Sequence, residues 1–161
     1  MNSIIYYNFY DAVTLKLNFN EYYLLCGVDF CDTPIDIKSK IFHPNHKYFI
    51  DLLDNYFNIS KYDVDFNLLD TKGLTNFYMD VYKTLLKTKV GMTTTYKKLA
   101  ADAGYKNAYR AVGSCMRKNR WPLFIPCHRV LSTNSIGNSI GGYSSGIWIK
   151  KRLLELEKNR L

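Results

Sequence analysis

The sequence predicts a chain in two parts, an α/β N-terminal half and a mainly α-helical C-terminal half that carries a helix-turn-helix. Three observations carry this. The charge divides sharply: residues 1–73 hold six Lys and Arg against ten Asp and Glu, net −4, whereas residues 74–161 hold sixteen against four, net +12, within a formal total of +8. The hydrophobic periodicity changes at the same place, from strand-like runs to helical spacing. In the basic half, two short amphipathic patterns are separated by a glycine-containing turn. A chain of 161 residues, 47% of them hydrophobic, is long enough to build such a core as one domain or two small ones.

Residues 4–30 are rich in Ile, Tyr, Phe, Val and Leu and are broken near Asp11 and near residues 18–21, which predicts three strands in a meander. Residues 41–57 read as a helix, because Phe49, Leu52, Leu53, Tyr56 and Phe57 recur at three- and four-residue spacing. Residues 64–68 read as a further strand, and residues 70–74, with Lys72 and Gly73, as the connector between the halves. A helix over residues 75–87 follows, capped by Thr75, with Phe77, Tyr78, Val81, Tyr82 and Leu85 as its apolar stripe. TTTYKKLAADAG predicts a short helix capped by Thr94 or Thr95 and stopped by Gly104. NAYRAVGSCMRKN predicts the second, with small residues Ala108, Ala111, Gly113 and Ser114 that let its backbone approach another surface. That surface is either a protein core or a nucleic acid; the basic residues Arg110, Arg117, Lys118 and Arg120 favour DNA.

A half this basic attracts polyanions, nucleic acid foremost, although a solvated basic surface has the same composition. No run of about 18 apolar residues is present for a membrane span, and MNSIIYYNFYDAV lacks a signal-peptide pattern, so a cytoplasmic protein without membrane contact is expected. The four cysteines are then free thiols by default. Cys26, Cys31, His43 and His46 invite a zinc reading, but the Cys-x4-Cys spacing is loose and Cys26 falls in a strand, so no metal is expected.

The segment LFIPCHRV, residues 123–130, places Cys127 between rigid, apolar neighbours and His128. On these residues alone Cys127 is a buried core thiol, a nucleophile of a Cys-His hydrolase, or a nucleophile of another kind. Together, IPCHRV, the preceding TYKKLAADAG and RAVGSCMRKN, and the following GGYSSGIWIKKRLLELE resemble the O6-alkylguanine-DNA alkyltransferases over about half the chain. The resemblance implies a ribonuclease H-like or ferredoxin-like N-terminal support domain, residues 1–73, and a C-terminal DNA-binding and methyl-acceptor domain, residues 74–161. It implies single-turnover transfer of an alkyl group from O6-alkylguanine, and by extension O4-alkylthymine, in double-stranded DNA to Cys127, with no cofactor, in a monomer bound through the minor groove. In a eukaryotic cell such a protein works in the nucleus.

Carried over residue by residue, the resemblance gives His128 the thiol proton through a water and makes Glu157 its orienting carboxylate. It makes Tyr96 the proton donor to the departing base and Arg110 the stand-in for the extruded nucleotide. It has Asn119 hold the turn before the cysteine, and it builds the base pocket from Tyr96, Val130, Tyr143 and Ser144. Glu157 has an ordinary alternative as a surface partner of Lys150, Lys151 or Lys158. The chain departs from the family in having Arg120, Trp121 and Pro122 after Asn119, where Asn-Pro is common. The Gly-, Asn- and Ser-rich segment 134–142 reads as a mobile loop. A helix-turn-helix protein that recognises alkylated DNA without repairing it is the competing reading.

Overall fold

The computed structural model describes residues 2–9, 13–31, 43–57, 63–134 and 137–159. Within it the chain divides into two compact units, Met1–Lys72 and Gly73–Leu161.

In the first unit, β1 (Ser3–Phe9), β2 (Val13–Phe19) and β3 (Leu25–Cys31) form an antiparallel meander with β2 in the centre. The register runs from Ser3 opposite Phe19 to Phe9 opposite Val13, which keeps Ile5, Phe9, Leu15, Leu17 and Phe19 buried. The sheet is covered by α1 (Pro44–Asp54), which carries Phe49, Leu52 and Leu53 inward. Proline at the first helical position suits α1, since its missing N–H would have no helical partner there. His43 caps it by accepting the Asn45 amide at 3.1 Å. Phe9 meets Tyr56 edge-on at 5.1 Å, and Phe19 packs against Phe49 at 5.8 Å.

Residues 64–68 are not the strand that their composition predicts. Phe66–Leu68 is a 3-10 turn capped by the Asp65 carboxylate, and only Leu69 bridges to Leu25 of β3. The apolar residues are too few there to outweigh an Asx turn.

The second unit starts with α2 (Asn76–Leu86), capped by the Thr75 hydroxyl, which buries Val81, Tyr82 and Leu85 and leaves Phe77 and Tyr78 half-buried. A two-residue strand, β4 (Thr94–Thr95), leads directly into α3 (Tyr96–Asp102), and Thr95 caps that helix through the Lys98 amide. Gly104, at φ +87°, ends the turn after α3, as the sequence predicts. Then comes α4 (Tyr109–Arg117), whose Val112, Cys115 and Met116 face the core.

Segment 134–142 contains structure that composition conceals. β5 (Val130–Asn134) and β6 (Gly137–Ser139) pair as an antiparallel hairpin, while β4 pairs in parallel with β5, Thr94 opposite Val130. Residues 135 and 136 lie outside the described residues. The two-residue β4–β5 pairing matters most, because it fixes the start of α3 beside the chain just after Cys127. The last element is α5 (Ile147–Asn159), with Ile149, Lys150, Leu153, Leu156 and Glu157 on its buried face.

Beneath the Cys127 segment, Trp121, Leu123, Phe124 and Ile125 are fully buried. Leu123 takes a left-handed backbone, φ 71°, which costs a leucine about 1–3 kcal/mol and persists because the packing around it allows no other path. The Trp121 ring meets Tyr82 edge-on at 6.2 Å and has the Arg120 guanidinium over it at 4.8 Å. Trp121→Ala should therefore lower unfolding stability by about 3–5 kcal/mol in urea titrations followed by circular dichroism. Trp121→Phe, which keeps an aromatic edge for Tyr82, should lose less.

Candidate active site

Cys127, His128 and Arg129 form one 3-10 turn, with Pro126 before it and Val130 starting β5 after it. All three side chains are buried, and the 4% exposure of Cys127 opens onto a cavity of about 340 Å³. That cavity is lined by Tyr96 from α3, by Gly113, Met116 and Arg117 from α4, and by Gly142, Tyr143 and Ser144 ahead of α5. Of the four cysteines, Cys127 alone lines it; Cys115 is fully buried, and burial pushes its thiol up to about 12.

Asn119 holds the turn. Its side-chain amide donates to the Ile125 carbonyl at 2.8 Å and to Cys127 Sγ at 3.0 Å, and its Oδ1 accepts from the Trp121 amide at 3.0 Å. One side chain thus joins the end of α4 to the sulfur. Its place two residues past α4 allows this, since the Asn119 amide itself still bonds to Met116 of the helix.

Glu157 is 1% exposed, not a surface partner of the α5 lysines. Its Oε1 lies 2.7 Å from His128 Nε2 and accepts from Arg129 Nη2 at 2.9 Å, while Arg129 Nε reaches both carboxylate oxygens at 3.1 Å. The Gly91 amide donates to Oε2 at 2.9 Å, and Arg129 Nη1 donates to the Thr88 carbonyl at 2.6 Å. Burial alone would raise the Glu157 carboxyl. The hydrogen bonds and charges of His128 and Arg129 outweigh burial and hold the group far below the usual carboxylate range. Glu157 is therefore ionised, and Arg129 balances its charge.

His128 then needs no charge of its own. Burial lowers its imidazole, and the nearby Arg129 and Lys150 charges add to this against the opposing pull of Glu157, so the ring is neutral at neutral pH. With Nε2 engaged by Glu157, Nδ1 is the nitrogen through which His128 can exchange a proton. Burial likewise pushes the Cys127 thiol up, opposed by Asn119, by Tyr143 and by the positive charge of Lys150. The resting group is a thiol, with polar groups around the sulfur arranged to favour the thiolate once its proton leaves.

Lys150, which the sequence reading leaves at the surface of the last helix, is drawn into the site. It is fully buried; its Nζ donates to the Val130 carbonyl at 2.7 Å and lies 6.0 Å from the Tyr143 ring centre. Burial pulls its ammonium down to about 8, with the Cys127 charge acting the other way. Arg129 is missed as well. A signal existed for Lys150: positions 150, 153 and 157 share one helical face, and that face is apolar at Leu153.

The remaining predicted residues divide. Tyr96, Tyr143, Ser144, Gly113 and Arg117 line the cavity with Cys127. Burial, and secondarily the Cys127 charge, raise the Tyr96 phenol, which keeps it a proton donor. Val130 is fully buried and absent from the lining; it sits behind the site, its carbonyl held by Lys150. Arg110 and Ala111 are exposed on α4, outside the cavity, and Ala108 and Ser114 are half-buried. A Cβ placed on Gly113 would meet nothing within 4 Å, so core packing does not require glycine there and the space beside α4 is open.

Three of the four candidate zinc residues have other partners. His46 Nε2 lies 3.0 Å from Ser3 Oγ, His43 stacks on Tyr23 at 4.0 Å, and Cys26 Sγ lies 3.6 Å from the Leu24 carbonyl and the Asp70 carboxylate. Among the described residues no group of three or more His, Cys, Asp or Glu side chains is placed to hold a metal.

Comparison with known proteins bears on these residues. The family model for the DNA-binding domain of 6-O-methylguanine DNA methyltransferase matches residues 76–159. A methylated-DNA–protein-cysteine methyltransferase from Sulfurisphaera tokodaii is 36% identical over 156 residues, 95% of this chain and 90% of that protein. One from Metallosphaera sedula is 43% identical over 105 residues, 65% of this chain and 63% of that protein. The crystal structure of O6-methylguanine-DNA methyltransferase from Pyrococcus kodakaraensis matches with a TM-score of 0.70 and 29% identity, covering 98% of this chain and 99% of that one. The structure of Mycobacterium tuberculosis OGT in complex with DNA matches with a TM-score of 0.68 and 30% identity, over 99% of this chain and 93% of that one. The family model takes in the cavity, the cysteine turn and the buried carboxylate alike, and the Sulfurisphaera tokodaii relative aligns along nearly the whole chain: it belongs to the methylated-DNA–protein-cysteine methyltransferase family.

Proposed function

We propose that this protein repairs DNA by moving the alkyl group of O6-alkylguanine, and of the chemically equivalent O4-alkylthymine, onto Cys127, once per molecule and without a cofactor. The observation that carries the reading is the Cys127 sulfur at a cavity of about 340 Å³, followed directly by a buried His128 held by Glu157. An O6-alkyl carbon is a poor electrophile whose leaving group is a guanine anion, and a thiolate is the soft nucleophile that displaces it.

The steps balance as follows. The thiol proton passes through a water to His128 Nδ1, and Lys150 and Asn119 stabilise the thiolate. Sulfur attacks the alkyl carbon, the S–C bond forms and the C–O6 bond breaks. The leaving guanine takes a proton at N3 from the Tyr96 hydroxyl, and the proton held by His128 restores the phenol through solvent. The product at Cys127 is a thioether with no leaving group to regenerate it, so each protein acts once.

To reach the cavity, the base must leave the duplex, at a cost of a few kcal/mol. In this reading α3 and α4 form a helix-turn-helix that docks α4 in the minor groove, where Ala108, Ala111, Gly113 and Ser114 keep the helix low and Arg117 adds charge. Arg110 fills the gap left in the stack. Tyr143 and Ser144 contact the extruded guanine. The N-terminal unit supports the second, and its antiparallel meander is what favours a ribonuclease H-like layout for it.

Mixing the protein with a duplex containing O6-methylguanine should add one methyl group per molecule, located on Cys127 by mass spectrometry of peptides, with no further uptake at excess substrate. Cys127→Ala should take up none, and a Cys127→Ala protein that still demethylates DNA contradicts the assignment. Arg110→Ala should lower the ratio of transfer from duplex to transfer from free O6-benzylguanine by at least about tenfold, the cost of an unsupported extruded base. An unchanged ratio contradicts the role given to Arg110.

A further inference from the structure

Away from the Cys127 site, a concavity of about 560 Å³ opens between the C-terminal end of α2, the segment that follows it, and α3. It lies on a different side of α3 from the alkyl cavity. Tyr96 lines that cavity and Lys98 this one, and residues two apart on a helix do not share a face. We propose that this concavity binds a phosphate ester, its phosphate held by Lys87, Lys89 and the Thr94 hydroxyl.

Two independent observations carry this. The first is charge: Lys87, Lys89 and Lys98 line the concavity against one carboxylate, Asp102, among the described residues. Lys98 takes Asp102 at 2.8 Å, which leaves Lys87 and Lys89 as the unopposed charges of the lining. Both are exposed, and their long stems let two ammonium groups converge on one anion. A solvated basic surface would have this charge as well. The second observation separates the two cases. Thr94 lines the concavity yet is only 8% exposed, and its Oγ1 is buried with no hydrogen-bond partner. A buried hydroxyl left unpaired is costly and uncommon, and a phosphate oxygen is the acceptor it lacks.

Size and position define the ligand further. The volume is far larger than a phosphate ion, and Met92, 59% exposed on the lining, offers apolar surface to the carbon part of an ester. The segment that walls the concavity also supports the buried charge cluster from behind, since the Thr88 carbonyl accepts from Arg129 and the Gly91 amide donates to Glu157. A ligand gripped by Lys87, Lys89 and Thr94 therefore holds both ends of the stretch whose backbone supports Arg129 and Glu157. A free small phosphate ester and the backbone of a nucleic acid share the chemistry this site recognises.

The test is a titration of isotope-labelled protein at constant ionic strength, read by amide NMR shifts, with thymidine 5′-monophosphate and separately with a thymidine tetranucleotide that has no terminal phosphate. At least one probe should move the amides of residues 87–94 along a saturating curve, with a Kd of about 1 mM or tighter. Saturation by the monophosphate identifies a free phosphate ester as the ligand; saturation by the tetranucleotide alone identifies a nucleic-acid backbone. Lys87→Gln with Lys89→Gln should weaken this binding by at least about tenfold, the loss of two charge-assisted contacts. Lys151→Gln with Lys158→Gln, which removes the same charge from α5, should leave it nearly unchanged. Thr94→Val should bind at least about threefold more weakly and yet melt no lower than the wild type, because the hydroxyl it removes has no partner in the unliganded protein. No saturable shift in residues 87–94 with either probe overturns the site, as does equal weakening by the two lysine pairs or full-strength binding by Thr94→Val.

Discussion

A carboxylate with almost no access to water organises the C-terminal unit. Glu157 reaches from the last helix to His128, Arg129 and the Gly91 amide, so that α5, the cysteine turn and the segment after α2 meet on its two oxygens. An isolated carboxylate in that place would cost several kcal/mol of lost hydration. Arg129 offsets much of this through three contacts, and its Nη1 donates to the Thr88 carbonyl. Burial, helped by the Arg129 and Lys150 charges, leaves His128 uncharged, and Glu157 orients it. Orientation and neutrality are what a base beside a thiol requires.

Each further piece of the site depends on where that turn sits. The parallel pairing of Thr94 with Val130 sets α3, and hence Tyr96, against the chain just past Cys127. Lys150 holds the same Val130 by its carbonyl and brings a cation toward the sulfur. Asn119 ties the sulfur to the end of α4. Cys127 is thus linked through one or two side chains to the helix that carries Arg110, so that groups which would handle DNA and groups which would handle the alkyl carbon share one framework.

Much of this was legible in the sequence, and the exceptions have physical causes. The meander, α1, α2, α3 and α4 follow from periodicity and caps because each buries one clear apolar face or stripe. β4 and β6 are two and three residues long, too short for any alternation to register, and the Gly-Asn-Ser of β6 reads as loop. Residues 64–68 failed in the opposite direction, since a few apolar residues suggested a strand where Asp65 caps a 3-10 turn. Within the site, Cys127, His128, Glu157 and Asn119 could be named from the resemblance. Arg129 and Lys150 could not, because charged side chains are placed at the surface by default, and only their partners, a buried carboxylate and a buried carbonyl, bring them inside. Val130 was named for the cavity wall; it is fully buried and is not among the residues that line the cavity.

The account turns on a His128 that is neutral and able to take the thiol proton. Its protonation must stop the reaction, so the rate should be full above the imidazole's titration and lost as pH falls through it; burial and the Arg129 and Lys150 charges place that point below the ordinary value of 6.5. The measurement is the single-turnover rate of Cys127 benzylation from free O6-benzylguanine across pH 5 to 8, with folding checked by circular dichroism at each pH, a window of about the range over which histidines titrate. A rate that holds through pH 6.5 and then falls along a one-proton acid limb is what the account predicts. A limb centred at or above 6.5 would contradict it, as would a rate that stays level in acid while the protein remains folded.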